Sequence, residues 1–182
     1  MVKKINKAIF LDRDGVINKP IIRNYKPYSP RSLSQFKIYK DIELLKNFKK
    51  NYFLIIITNQ PDVKTKKIRK EMIKKFHNKI TNLLKIDKIY VCYHTDEDKC
   101  LCRKPGIKFF LDAKKKFNLS LKKSYFIGDR WKDMRAGSKA QCINIFLDKK
   151  YKESSKYDFN FSYRCNNLKG AINYIKKRDK II

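Results

Sequence analysis

The chain is short of acid: 17 aspartates and glutamates stand against 46 lysines and arginines, a formal net charge of +29 over 182 residues. Glycine and proline are sparse, five of each, and there are two histidines and one tryptophan. No apolar run approaches the roughly 18 residues that cross a bilayer, which argues against a membrane-spanning helix. The opening Met-Val-Lys-Lys-Ile-Asn-Lys has no apolar centre of the kind a secretory signal needs. A soluble, cytoplasmic protein is therefore expected. Internal repeats and linker-like stretches are also missing, so residues 1–182 are expected to form a single domain. The five cysteines are an odd number, and three of them crowd together at Cys92, Cys100 and Cys102. In a cytosolic setting that clustering argues against a disulfide framework and for metal. Cys142 and Cys165 stand apart and are expected to be buried thiols.

A charge of +29 favours nucleic acid, anionic membrane or phosphorylated substrates. The lysines, however, are scattered over every segment and form no stripe. They accompany abundant Ile, Asn, Tyr and Phe while Gly and Ala are scarce, the pattern of a compositional bias filling solvated faces. Neither nucleic acid nor membrane is expected as a partner, though a positive field still helps to capture a small phosphate ester.

What is present begins with Ala8-Ile-Phe-Leu-Asp-Arg-Asp-Gly-Val-Ile-Asn18. Four apolar residues read as a buried strand, which delivers Asp12 and Asp14 at its end. Side chains at i and i+2 project to the same side, and Gly15 lets the backbone turn tightly beneath them. Two adjacent carboxylates repel, and a cation between them or a proton on one removes the conflict. The pair suits a metal-assisted nucleophile with a neighbouring general acid/base. A polar strand exit is the plain alternative.

Further apolar runs follow at residues 52–57, 86–93, 124–127 and 142–147, with a possible last strand over 158–163. Between them, helical spacing marks residues 39–50, 64–85, 107–117 and 167–177. Residues 18–37 read as a long polar loop, a length that in compact domains is often functional. Alternating strands and helices predict a doubly wound parallel α/β sheet, whose ligands sit outside the carboxyl ends of the strands. Thr58-Asn-Gln60, Arg103-Lys-Pro105 and Gly128-Asp-Arg-Trp-Lys-Asp133 all fall at such ends or in the loops just after them. Cys92, His94, Cys100 and Cys102 supply three thiolates and one imidazole, a set suited to tetrahedral structural Zn2+. His77 lies beside a helix's apolar stripe and is expected to be packed or solvated rather than catalytic.

Taken in order, these stretches resemble the haloacid dehalogenase superfamily of phosphotransferases. With the cysteine–histidine set added, they resemble its branch of heptose bisphosphate and histidinol-phosphate phosphatases. The resemblance spans about residues 8 to 147. It implies a Rossmann-like core without a separate cap, roofed by loops that include the zinc loop. It assigns Asp12 as the nucleophile that becomes an aspartyl-phosphate and Asp14 as general acid/base. Mg2+ would be held by Asp12, Asp129 and the main-chain carbonyl of Asp14, and the transferring oxygens by Thr58 and Lys104. Asn59, Gln60 and Arg103 would meet substrate, Arg103 through its non-reacting phosphate, with Arg130 in support. Asp133 is open between holding Lys104 or a metal-bound water and supporting its helix N-terminus.

The substrate loops depart from the branch: Tyr25-Lys-Pro-Tyr-Ser-Pro30 replaces a Gly-Tyr stretch, and Pro61-Asp62 replaces Ser-Gly. The expected function is a Mg2+-dependent monomeric phosphatase with structural zinc, acting on a small phosphorylated sugar, with a heptose 1,7-bisphosphate first. The alternatives are histidinol phosphate or another sugar phosphate, a polynucleotide 3′-phosphatase, and a zinc-stabilised nucleic-acid-binding module.

Overall fold

The computed structural model describes residues 5–181. In chain order the strands are β1 (Ala8–Leu11), β2 (Ile21–Arg23), β3 (Lys26–Tyr28), β4 (Phe53–Asn59), β5 (Lys88–Cys92), β6 (Tyr125–Gly128), β7 (Ile143–Leu147) and β8 (Tyr163–Cys165). The α-helices are α1 (Lys70–Leu83), α2 (Lys108–Phe117), α3 (Trp131–Lys139) and α4 (Leu168–Asp179), and 3-10 helices cover Lys40–Phe48, Leu121–Lys123 and Lys152–Ser155. Six strands form one sheet in the order β5-β4-β1-β6-β7-β8, every pair of it parallel. Among the described residues no helix is long and apolar enough to cross a membrane.

Strand alternation explains why helices cover both faces. Ile9, Leu11, Leu54, Ile56, Tyr125 and Ile127 point to one face and pack with α1, α4 and the Lys40–Phe48 helix. Their neighbours Ala8, Phe10, Ile55, Ile57 and Phe126 point to the other, against Phe110 and Ala113 of α2 and Ala136 of α3. Strands buried on both faces read as continuous apolar runs, which is how the sequence shows them. The chain crosses from β1 at the sheet's middle outward to β4 and β5, then returns to β6 on β1's other side. The crevice where strand order reverses lies above β1, so the β1 exit is where a ligand belongs.

Several boundaries differ from the sequence expectation. The 64–85 helix starts only at Lys70, because residues 61–68 fold back through hydrogen bonds from Lys67 and Ile68 N–H to the Asp62 carbonyl. The helix expected at 39–50 is 3-10, burying Ile42, Leu45 and Phe48 at every third position. The last strand is Tyr163–Cys165, not 158–163; Phe159 and Phe161 pack on Phe146 instead of joining the ladder. The polar loop at 18–37 carries the antiparallel β2–β3 hairpin. Cys142 and Cys165 are only partly buried.

At the opposite end of the sheet from the site, Asp179 closes α4 onto the core. It accepts hydrogen bonds from Tyr52, from Tyr125 at 2.5 Å and from Lys7 at 2.9 Å. Burial pushes its pKa up, but the donors Tyr125, Tyr52 and Lys7 outweigh burial and hold it below the usual carboxylate value. A depressed folded pKa contributes stability above the unfolded pKa of about 3.9 that is lost as pH falls through the folded value. Asp179→Asn is therefore expected to cost roughly 1–3 kcal/mol at pH 7. The gap from wild type should close below about pH 4. Urea midpoints from pH 7 to pH 3 check this, and a gap independent of pH would refute it.

Candidate active site

β1 brings Asp12 to the sheet edge, where its N–H still donates to the Ile127 carbonyl of β6 at 3.0 Å. The chain then turns at once, the Gly15 N–H reaching the Asn18 carbonyl at 2.7 Å. Gly15 has φ +94°, and a Cβ there would lie 1.7 Å from Asp129 Oδ2. Only glycine lets the β1 turn sit against the carboxylate that β6 delivers.

Lys104 is the cation of this centre. Its ammonium, 2% exposed, donates to Asp12 Oδ1 at 2.7 Å and to the Ile57 carbonyl at 2.8 Å, and pairs with Asp133 Oδ1 at 2.7 Å. Burial works against its charge, but Asp12 and Asp133 more than compensate and raise its pKa. The Asn59 side chain fixes the Lys104 backbone, accepting its N–H at 3.1 Å and donating to its carbonyl at 3.2 Å. Asp133 performs both tasks left open by the sequence. One oxygen holds Lys104, and the other accepts the Arg130 N–H at 3.0 Å, capping α3.

Three carboxylates, of Asp12, Asp129 and Asp133, place oxygens within 4.8 Å of one another. One ammonium does not balance three acids, and the excess negative charge bears on Asp12 and Asp129. Burial pushes the Asp12 pKa up to about 6, with Asp133 and Asp14 adding to the effect. Burial, then Asp12 and Asp133, raise Asp129 well above its usual value. Asp129 Oδ2 accepts from the Tyr151 hydroxyl at 2.8 Å, while Oδ1 is buried without a partner. A buried, unpartnered carboxylate oxygen in an under-neutralised cluster fits a hard divalent cation with oxygen ligands. The side-chain cluster contains Asp133 and not Asp14, whose expected metal contact is through its main chain.

The Asp14 carboxylate is held elsewhere. Arg13 grips it at 2.8 and 2.9 Å, and Ser29, Asn18 and Gln60 donate at 2.7, 2.9 and 2.9 Å. Burial raises its pKa, but Arg13 and the three donors prevail and lower it. Arg13 is itself fully buried, above the rings of Phe36 and Phe76. His77 stands behind it, with Nε2 at 3.5 Å from the guanidinium. Burial and Arg13 push the His77 pKa down to about 4.

Over this centre lies a cavity of about 380 Å³. Thr58, Asn59, Arg103 and Arg130 line it. Gln60 does not: it is fully buried and donates to Thr58 and Asp14, so it orients those two groups instead of reaching the cavity. The β2–β3 hairpin roofs one side through Tyr28 and Ser29, and Trp131 and Tyr157 line the wall. Arg103 and Lys132 both donate to Asp96, at 2.8 Å each, and Arg103 Nη1 is buried without a partner.

Cys92 closes β5, and its Sγ lies 3.2 Å from Cys102 and 3.7 Å from Cys100, with 3.4 Å between the latter two. His94 Nδ1 is 3.3 Å from Cys102 and 3.6 Å from Cys92. All five thiols are free. These separations are far beyond an S–S bond of about 2.05 Å. They approach the roughly 3.8 Å sulfur–sulfur edge of a tetrahedron with zinc–sulfur bonds of about 2.3 Å. Four protein ligands complete such a tetrahedron, so the set fits structural zinc.

The sequence assigns no role of their own to Ser29, Arg13, Lys132 and Tyr151. Their partners are read only from the fold, although the length of the 18–37 loop pointed toward Ser29.

The model of the polynucleotide kinase 3 phosphatase family matches residues 7–169. The D-glycero-beta-D-manno-heptose-1,7-bisphosphate 7-phosphatase of Helicobacter pylori is 36% identical over 179 residues, 94% of this chain and 98% of that protein. The D-glycero-alpha-D-manno-heptose-1,7-bisphosphate 7-phosphatase of Campylobacter jejuni is 37% identical over 183 residues, 95% and 98% of the two chains. In fold, a solved D,D-heptose 1,7-bisphosphate phosphatase from B. bronchiseptica, complexed with magnesium and phosphate, superposes with a TM-score of 0.82 at 20% identity, covering 94% of this chain and 99% of that one. The chain belongs to the polynucleotide kinase 3 phosphatase family, and its fold is that of haloacid dehalogenase-type hydrolases.

Proposed function

We propose that this chain is a Mg2+-dependent phosphatase that removes the 7-phosphate of a D-glycero-D-manno-heptose 1,7-bisphosphate, acting in the cytoplasm as a monomer with one structural zinc. The observation that carries it is the Asp12–Lys104 pair beside the unpartnered Asp129 oxygen: a nucleophile, a cation for the phosphoryl oxygens and an open metal ligand at one point. The names of the relatives at 36% and 37% identity support the substrate.

Phosphoryl transfer depends on positioning and on neutralising charge. Asp12 attacks phosphorus in line with the ester oxygen, forming an aspartyl-phosphate as the sugar–oxygen leaving group departs. Asp14 gives that oxygen its proton, then takes one from the water that attacks phosphorus and frees Asp12. Arg13 and three donors favour the ionised form of Asp14; a phosphate dianion beside it would raise its proton affinity and equip it as an acid. Thr58 and Lys104 hold the transferring oxygens. Asp12, Asp129 and the Asp14 main-chain carbonyl, with Asp133 close by, would hold Mg2+, which would supply charge neutralisation.

Arg103 is assigned the non-reacting phosphate. Arg103→Ala should lower kcat/KM for the bisphosphate roughly 10–100-fold, and for a monophosphate much less. An equal loss on both removes it from that role. The family description and the +29 charge favour a second reading, a polynucleotide 3′-phosphatase. Phosphate release with Mg2+ separates the two, measured on both heptose bisphosphate anomers, histidinol phosphate and a 3′-phosphorylated oligonucleotide, with Asp12→Asn as blank. Strong preference for one heptose anomer supports the first reading and fixes the anomer, on which the two relatives differ. Turnover of the oligonucleotide alone overturns it.

A further inference from the structure

Tyr151 lies outside every motif, and the chemistry above gives it no task. It follows β7 and is 6% exposed. Its hydroxyl donates to Asp129 Oδ2 at 2.8 Å. The two oxygens of a carboxylate are equivalent until something tells them apart. Here Oδ2 is capped by Tyr151 and lies against Gly15, so close that a single added carbon would overlap it. Oδ1, by contrast, is buried and bare. The surroundings thus select which oxygen of Asp129 is available.

The segment carrying Tyr151 is itself fastened. Glu153 pairs with Arg130 at 2.5 Å. Tyr157 stacks on Trp131 with ring centroids 4.1 Å apart and 21° between planes. Lys152 N–H reaches the Tyr25 carbonyl in the hairpin turn at 3.3 Å. Two of these ties end on Arg130 and Trp131, the residues that follow Asp129, so the segment that carries the hydroxyl is fastened to the one that carries the carboxylate.

We infer that Tyr151 is a positioning residue for the divalent metal: its hydroxyl locks the Asp129 carboxylate so that Oδ1 is the oxygen presented to the ion. A partner of this kind orients a ligand it does not replace, and losing one typically costs 10–100-fold in metal affinity. The inference rests on the proposal that Asp129 holds Mg2+.

The test uses the zinc-loaded full chain as wild type, Tyr151→Phe and Glu153→Gln. Mg2+ binding is measured by calorimetry, and phosphate release is followed against Mg2+ concentration. Tyr151→Phe keeps the ring and removes only the donor. Its Mg2+ Kd is expected to rise about 10–100-fold, with zinc content unchanged and kcat at saturating Mg2+ within a few-fold of wild type. Glu153→Gln should leave the Kd within about two-fold. A Tyr151→Phe Kd equal to that of wild type overturns the inference, as does an equal weakening by Glu153→Gln, which would assign the effect to looseness of the segment. Absence of Mg2+ binding by the wild type would instead refute the metal reading on which it rests.

Discussion

Asp12→Asn should abolish phosphate release, by a factor on the order of 10⁴–10⁶, in a protein that remains folded and zinc-loaded. The amide keeps the volume and the backbone hydrogen bond to Ile127, but an amide oxygen is a poor nucleophile toward phosphorus and brings no charge to the metal. Lys104 is not stranded by the change, since Asp133 and the Ile57 carbonyl remain within 2.7 and 2.8 Å. The electrostatics point further. Burial, with Asp133 and Asp14, lifts Asp12 from its usual 3.8 to about 6, so ionising it costs more in the fold than in the unfolded chain. A raised folded pKa means stability that is complete below the unfolded value and lost as pH climbs through the folded one. Asparagine has no such loss. In Mg2+-free buffer the variant should therefore gain on wild type between about pH 4 and pH 7, read from unfolding midpoints at several pH values. Residual turnover near wild type would place the nucleophile elsewhere. A variant that loses ground as pH rises would mean that the Lys104 attraction outweighs the crowding of carboxylates.

The sheet and the centre of the site were legible because both write themselves as local patterns. Strands buried on two faces give unbroken apolar runs, and each run ends in the polar residues that the crevice uses. Where two conformations bury the same residues, the sequence could not choose. Ile68 is buried, as an apolar stripe beginning at 64 requires, yet it lies before α1 because the chain after Pro61 folds back on Asp62. The 3-10 helix at Lys40–Phe48 buries Ile42, Leu45 and Phe48 but leaves Leu44 37% exposed; apolar residues at 42, 44, 45 and 48 fit α spacing as well as 3-10 spacing. The hairpin was hidden by its turn. Asn24 and Tyr25 both take positive φ, 49° and 57°, the conformation for which Asn-Gly is the usual signal, and a tyrosine in place of glycine conceals it. Tyr151 was unreadable for a different reason. It meets Asp129 across 22 residues, and no periodicity records a contact of that kind. Gln60 shows the opposite error: a residue inside a recognisable motif drew a substrate role, whereas burial turns it inward to Thr58 and Asp14.

Loss of zinc is expected to act on stability and on substrate binding unequally, and the inequality is the informative part. Cys100→Ser removes one of four ligands. The loop has little else to hold it from within, since Leu101, its apolar residue between two ligands, is 77% exposed. Structural zinc supplies folding free energy directly, so the variant should release its metal and melt on the order of 10 °C lower. Cys142→Ser and Cys165→Ser, far from the set, should retain zinc. Arg103 and Lys104 follow Cys102 immediately but are not equally dependent on it. Lys104 has independent anchors: Asn59 on its backbone, and Asp12, Asp133 and the Ile57 carbonyl on its ammonium. Among the described residues the Arg103 guanidinium is oriented by Asp96 alone, itself a loop residue with a side chain 62% exposed. Slackening the loop should therefore free Arg103 first. In the Cys100→Ser protein KM for a bisphosphate should rise more steeply than kcat falls on a small monophosphate, both measured well below the lowered melting temperature. Unchanged zinc on elemental analysis would remove Cys100 from the metal site. A collapse of kcat on the monophosphate with an unchanged bisphosphate KM would show that zinc holds Lys104 in place and leaves Arg103 to other contacts.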